Sequence, residues 1–87
     1  MYYPVSAHLI EFLILSVLQK EDSYGYEISR TVKLVADIKE STLYPILKKL
    51  EKNGFMTTYT KEYQGRKRKY YSLTDAGVEE LKFLNSE

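Results

Sequence analysis

The 87-residue sequence contains no cysteine and no tryptophan, a single histidine, two prolines and four glycines. Without cysteine there is no thiolate zinc site, no Fe–S cluster and no thiol catalysis, and nothing bears on redox compartment. His8 alone supports neither a Ser-His-Asp set nor a multi-histidine metal site, and its expected place is the surface or a subunit contact. No acid–base pair, nucleophile with its base, or phosphate-cradling glycine loop is present; Glu79-Glu80 reads as an exposed helical pair. Neither an enzyme nor a cofactor is expected. The one long apolar run, Leu9 to Leu18, is broken by Glu11, lacks a basic leader and falls short of the ~20 residues of a membrane span. It reads as a core helix in a cytoplasmic protein with no membrane partner. A strong excess of one charge is missing too, with thirteen Lys+Arg against twelve Asp+Glu. Chains of this size bury only about 60% of their unfolded surface, so the core is thin and a partner subunit is a common support.

What is present is periodicity. Leu9, Ile10, Leu13, Ile14, Val17 and Leu18 repeat as a helix burying one face, with Ser6 as its N-cap. A second helix is expected from Tyr24 to about Val35, with Ile28, Val32 and Val35 on one side. Gly25 near its start lowers helix propensity, and the expected reason for it is close approach of another backbone. The third helix should start at Ser41 or Thr42 and end at Asn53-Gly54, a left-handed stop. Its buried stripe is Leu43, Ile46, Leu47 and Leu50, and Pro45 sits in or just after the first turn. Phe55 to Tyr63 and Arg66 to Leu73 are rich in residues that favour a pleated surface and flank a Gln64-Gly65 turn, which makes a two-stranded hairpin. Thr74-Asp75 caps a fourth helix with Val78, Leu81 and Leu84 inward, still running at Glu87. Three helices, a hairpin and a trailing helix define an α+β, mainly α, winged helix-turn-helix. Residues 1–74 form that domain and 75–87 the start of a further helix.

The near-neutral total hides a division. Residues 39–70 carry nine basic and three acidic residues, and the rest of the chain carries four basic and nine acidic ones. Such asymmetry is the electrostatic footprint of a nucleic-acid face. On the third helix the side opposite the core holds Thr42, Tyr44, Lys48, Lys49 and Lys52, with Tyr44, Lys48 and Lys52 in one i, i+4, i+8 row. A helix of this length fits a B-DNA major groove ~12 Å wide. In the hairpin, Arg66, Lys67, Arg68 and Lys69 follow Gly65 directly. Lysines on an outer helix face are usually just solvated, but four adjacent cations repel one another unless a polyanion relieves them. Alternation puts Arg66 and Arg68 on one side of the strand and Lys67 and Lys69 on the other. Tyr24, Tyr26, Tyr59, Tyr70 and Tyr71 read as core or sheet residues with a wet hydroxyl, and Tyr44 as a contact residue. An apolar N-terminal arm, Tyr2, Tyr3, Pro4 and Val5, reads as a subunit contact.

Three stretches in this order resemble the PadR family of bacterial transcriptional regulators: Tyr24-Gly25-Tyr26-Glu27-Ile28, Ser41-Thr42-Leu43-Tyr44-Pro45 with Leu47 and Leu50-Glu51, and Gly65-Arg66 through Arg68-Lys69-Tyr70-Tyr71 with Leu73-Thr74. The similarity spans about residues 9–77. It implies a homodimeric, ligand-responsive repressor on a pseudo-palindromic operator, released by a small aromatic inducer, in the bacterial cytoplasm and associated with the nucleoid. By position, Ser41, Thr42, Tyr44 and Lys48 would meet bases or nearby phosphates. Arg66, Lys67 and Arg68 would serve the wing, and Tyr24 the DNA backbone. Many members carry proline where this chain has Lys67, and members continue into a longer dimerisation helix or helical domain. The alternative reading is a winged-helix protein-interaction module without sequence-specific DNA binding.

Overall fold

In the computed structural model, which describes residues 6–86, the apolar run becomes α1 (Ala7–Lys20). Ser6 starts it, its hydroxyl accepting the Leu9 N–H at 3.2 Å. Ile10, Ile14, Leu15 and Leu18 are buried, and α1 packs against every other layer of the domain. Leu15, absent from the expected stripe, is fully buried, whereas Leu9 is largely exposed. The N-terminal arm lies outside the described residues.

Two expectations for the next segment fail together. Ser23–Tyr24 is a short strand, β1, and α2 runs only over Gly25–Lys33. Ser23 pairs with Tyr71 and Tyr24 with Tyr70, so the sheet has three strands rather than two. Beyond α2 the i, i+4 row of Ile28 and Val32 continues to buried Ala36. Val35, expected inward, is 67% exposed, because the helix has already ended. Tyr26, expected in the core or sheet, stands on the outer side of α2 at 62% exposure. The neighbour at Gly25 is a side chain and not a backbone: a Cβ there would meet the Tyr44 ring at 3.3 Å.

Helix α3 spans Glu40–Lys52, one or two residues earlier than expected. The Lys39 carbonyl closes its first turn by accepting from Thr42 and Leu43 N–H, so Ser41 and Thr42 lie inside the helix with their hydroxyls unused as caps. Leu43, Leu47 and Leu50 are buried, with Ile46 half-buried at the margin. Pro45 is the sixth residue of the helix and deprives the Ser41 carbonyl of its usual donor. The helix ends as the sequence suggests. Gly54 takes φ +82°, its N–H reaches the Glu51 carbonyl and the Phe55 N–H reaches Leu50, the paired bonds of a Schellman turn.

Strands β2 (Met56–Tyr63) and β3 (Arg66–Leu73) pair antiparallel from Met56–Leu73 to Tyr63–Arg66, and β3 lies between β1 and β2. Gln64 and Gly65 both have positive φ, the two-residue turn whose twist suits a hairpin. One face of the sheet carries Met56, Tyr71 and Leu73 onto the helices; the other turns outward. Helix α4 covers Asp75–Asn85 with Thr74 as its cap, the Thr74 hydroxyl accepting from Gly77 N–H at 3.0 Å. Ser86, the last residue described, keeps helical dihedrals and donates its N–H to the Lys82 carbonyl at 3.1 Å. Leu81 and Leu84 are buried, and Val78 is half-buried.

The α3 end, the wing root and the α4 start meet on Gly54 and Phe55. The Thr74 hydroxyl donates to the Gly54 carbonyl at 2.6 Å, and Thr74 N–H donates to Phe55 carbonyl at 3.2 Å. Gly77 packs so closely on that carbonyl that an added Cβ would stand 2.0 Å from it.

Candidate nucleic-acid interface

The outer side of α3 is exposed from its first turn to its last: Ser41, Thr42, Tyr44, Lys48 and Lys52 all face outward. Tyr44, Lys48 and Lys52 form the expected row, and the Tyr44 ring leans on Gly25 at the start of α2. Lys49 is turned differently. Its Nζ lies 3.2 Å from Glu11 Oε2, a carboxylate only 8% exposed within the apolar α1. At the other end of the helix-turn-helix, Lys33 meets Glu40 at 2.7 Å, which balances the acid in the first turn of α3.

The wing divides its four cations as strand alternation requires. Arg66 and Lys67 at the tip are exposed and form no ion pair among the described residues. Tyr63, Gln64, Arg66, Lys67 and Arg68 line a shallow hollow of about 520 Å³ there. Lys69 turns toward α3, its Nζ 3.4 Å from Glu51 Oε1, while Thr58 hydroxyl lies 3.5 Å from the other oxygen of that carboxylate. Glu51 thus fastens both strands of the wing to the last turn of α3.

Arg68 points to the outward face of the sheet among tyrosines. Its guanidinium carbon is 4.1 Å from the Tyr24 ring centroid and 4.3 Å from that of Tyr63. Tyr24 meets Tyr70 edge-on at 5.5 Å, Tyr70 stacks on Tyr59 at 5.7 Å, and Lys61 lies over Tyr70. Tyr70 raises the pKa of Arg68, against a smaller lowering by desolvation. The Tyr59 hydroxyl donates to Asp22 at 2.6 Å, and that carboxylate holds the phenol's pKa above its ordinary value.

The residues expected at the site therefore fall into two groups. Ser41, Thr42, Tyr44, Lys48, Lys52, Arg66 and Lys67 are exposed on α3 and at the wing tip, without ion-pair partners among the described residues. Lys49, Lys69, Arg68 and Tyr24 are engaged within the chain. Sequence reading missed Glu11, Glu51 and Tyr63, which do the engaging. Only Tyr63 left a local signal, since a two-residue turn sets it directly opposite Arg66.

Three helices with an exposed third helix beside a basic hairpin make this protein a winged helix-turn-helix. The chain belongs to the Transcriptional regulator PadR-like family, which it matches over residues 14–83. It is 39% identical over 79 residues to the negative transcriptional regulator PadR of Bacillus subtilis strain 168, covering 84% of this chain and 43% of that protein, less than half its length. Among solved structures it is similar to smu.1704 from Streptococcus mutans UA159, with 67% identity, a TM-score of 0.92, and 99% of this chain and 81% of that one covered. It is also similar to Bacillus subtilis PadR in complex with operator DNA, with 35% identity, a TM-score of 0.75, and 85% and 45% covered. The family is one of transcription regulators rather than enzymes. No helix among the described residues is long and apolar enough to cross a membrane.

Proposed function

We propose that the chain is the DNA-reading domain of a ligand-responsive repressor that binds a pseudo-palindromic operator as a homodimer. The observation that carries this reading is the run of exposed polar and cationic side chains along α3 and at the wing tip, without ion-pair partners among the described residues. Thirteen residues of α3 make a rod about 20 Å long at 1.5 Å per residue, of a size to lie in a major groove. Ser41, Thr42 and Tyr44 sit in its N-terminal half, the part that reads base edges in helix-turn-helix proteins. Lys48, Lys52, Arg66 and Lys67 supply phosphate contacts. That a similar chain was solved on its operator supports the assignment.

A dimer is supported by apolar side chains that the single chain leaves outside: Leu9 on α1, Leu34 and Val35 after α2, and Phe83 on α4. A partner subunit would cover such side chains, and a two-fold dimer would set two α3 helices about 34 Å apart on DNA. α4 is then the first part of the dimerisation element, and a small aromatic inducer would act by changing the spacing of the two α3 helices.

A gel-shift competition between the gene's own upstream region and random duplex tests the reading. Preference for the upstream duplex is the expected result, and a small aromatic compound that induces the regulated gene should abolish it. Equal and weak retention on both duplexes would instead mark a protein-interaction module. Light scattering should report a dimer, and a monomer with full operator affinity would sink that part.

A further inference from the structure

Arg68 differs from its three neighbours in the basic run. It is half-buried where Arg66, Lys67 and Lys69 are exposed. Its guanidinium has tyrosine rings at 4.1 and 4.3 Å, one from β1 just ahead of α2 and one from the tip end of β2. Those rings come from segments far apart in the chain, brought together by the register that sets Tyr24 against Tyr70 and Tyr63 against Arg66. The residue after Tyr24 is Gly25, against which the Tyr44 ring of α3 rests. A continuous line of contact therefore runs from the wing through Arg68 and Tyr24 to the reading helix.

Charge and shape make different demands here. A phosphate contact needs a cation, and lysine or arginine serves. Packing against two rings at once suits a flat, delocalised cation better than the point charge of lysine. With both rings this near, the Arg68 guanidinium is engaged within the chain.

We propose that Arg68 is a positioning residue: it holds the wing against the start of α2 and so sets where Arg66 and Lys67 stand relative to Tyr44. This rests on the DNA-binding reading and adds to it a division of labour within the basic run. Arg66 and Lys67 bring charge to the duplex, and Arg68 brings alignment.

The two roles separate in the salt dependence of binding. A side chain that neutralises a phosphate contributes about 0.9 to the slope of log K against log salt through its own charge, whereas one that only aligns acts the same whether or not a charge is kept in its place. The test measures affinity for the upstream duplex over a range of salt for the wild-type chain and for Arg66→Ala, Arg68→Ala, Arg68→Lys and Tyr63→Leu. Arg68→Ala and Arg68→Lys should both weaken binding about tenfold and share one slope, since misalignment displaces Arg66 and Lys67 whether or not residue 68 keeps its charge. Tyr63→Leu should do the same with no charge removed, and it decides the matter if an Arg68 variant fails to fold. Arg66→Ala should lower the slope. Recovery of wild-type affinity in Arg68→Lys, a lower slope in Arg68→Ala than in Arg68→Lys, or unchanged affinity in Arg68→Ala or Tyr63→Leu would each overturn the proposal. A wild-type chain with no duplex preference removes the DNA-binding reading itself. That failure is distinguishable, because Arg66→Ala then has no specific binding to lose.

Discussion

A single hydrogen at Gly77 decides whether α4 can start where it does. A Cβ in its place would stand 2.0 Å from the Phe55 carbonyl, and no rotamer change relieves that clash, because the obstacle is backbone. Alanine has the better helix propensity by about 1 kcal/mol, yet Gly77→Ala should destabilise the domain by about 1–3 kcal/mol through overpacking. Chemical denaturation gives the sign. Glu11 is a second such residue. Its buried carboxylate has Lys49 as ion-pair partner, and Lys49 itself reaches water. Lys49→Ala should cost about 1–3 kcal/mol by leaving a buried acceptor unpaired, whereas Glu11→Leu, which removes the charge as well, should be neutral or stabilising. Tyr59 reports on pH. Its folded pKa is raised by the Asp22 hydrogen bond, so the stabilisation is complete below the unfolded phenol value of about 10 and is lost as pH rises through the folded value. Thermal melts should show Tyr59→Phe less stable than wild type at neutral pH, with the gap closing in strong alkali.

At the scale of elements, the hairpin turn is the place where the sequence is suboptimal for its own conformation. Gln64 adopts φ 51° beside Gly65 at φ 79°, a pair of positions that favours Asn-Gly. Gln64→Asn should therefore raise stability by a few tenths of a kcal/mol, and Gly65→Ala should lower it by about 1–2 kcal/mol, the cost of left-handed backbone for an L-residue; both are readable in denaturant midpoints. The hairpin was legible in sequence because pleat-favouring residues crowd both sides of a Gln-Gly pair that marks the turn. β1 was not, since two residues have no period, and its existence depends on Tyr70 and Tyr71 far along the chain. The start of α3 was misplaced for a different reason. Ser41 and Thr42 are good capping residues by chemistry, but the Lys39 carbonyl closes the first turn ahead of them. The outer row of α3 followed from spacing alone. Which cations are engaged did not, because Glu11, Glu51 and Tyr63 meet their partners through tertiary contacts.

For the whole molecule, the basic third helix and hairpin against an acidic remainder matter more than the total of +1. Titrating salt from 50 to 200 mM should weaken duplex binding steeply, by a factor set by the number of phosphates met. The same titration should leave the folding midpoint nearly unchanged, since the exposed ion pairs contribute little. The separation also governs what happens before contact. A chain with almost no net charge feels little pull toward a polyanion, but one with its positive and negative charges on different elements feels a torque. Within about one Debye length, ~8 Å at physiological salt, that torque turns α3 and the wing toward the phosphates. Orientation during approach, rather than attraction from afar, is what this arrangement of charge supplies.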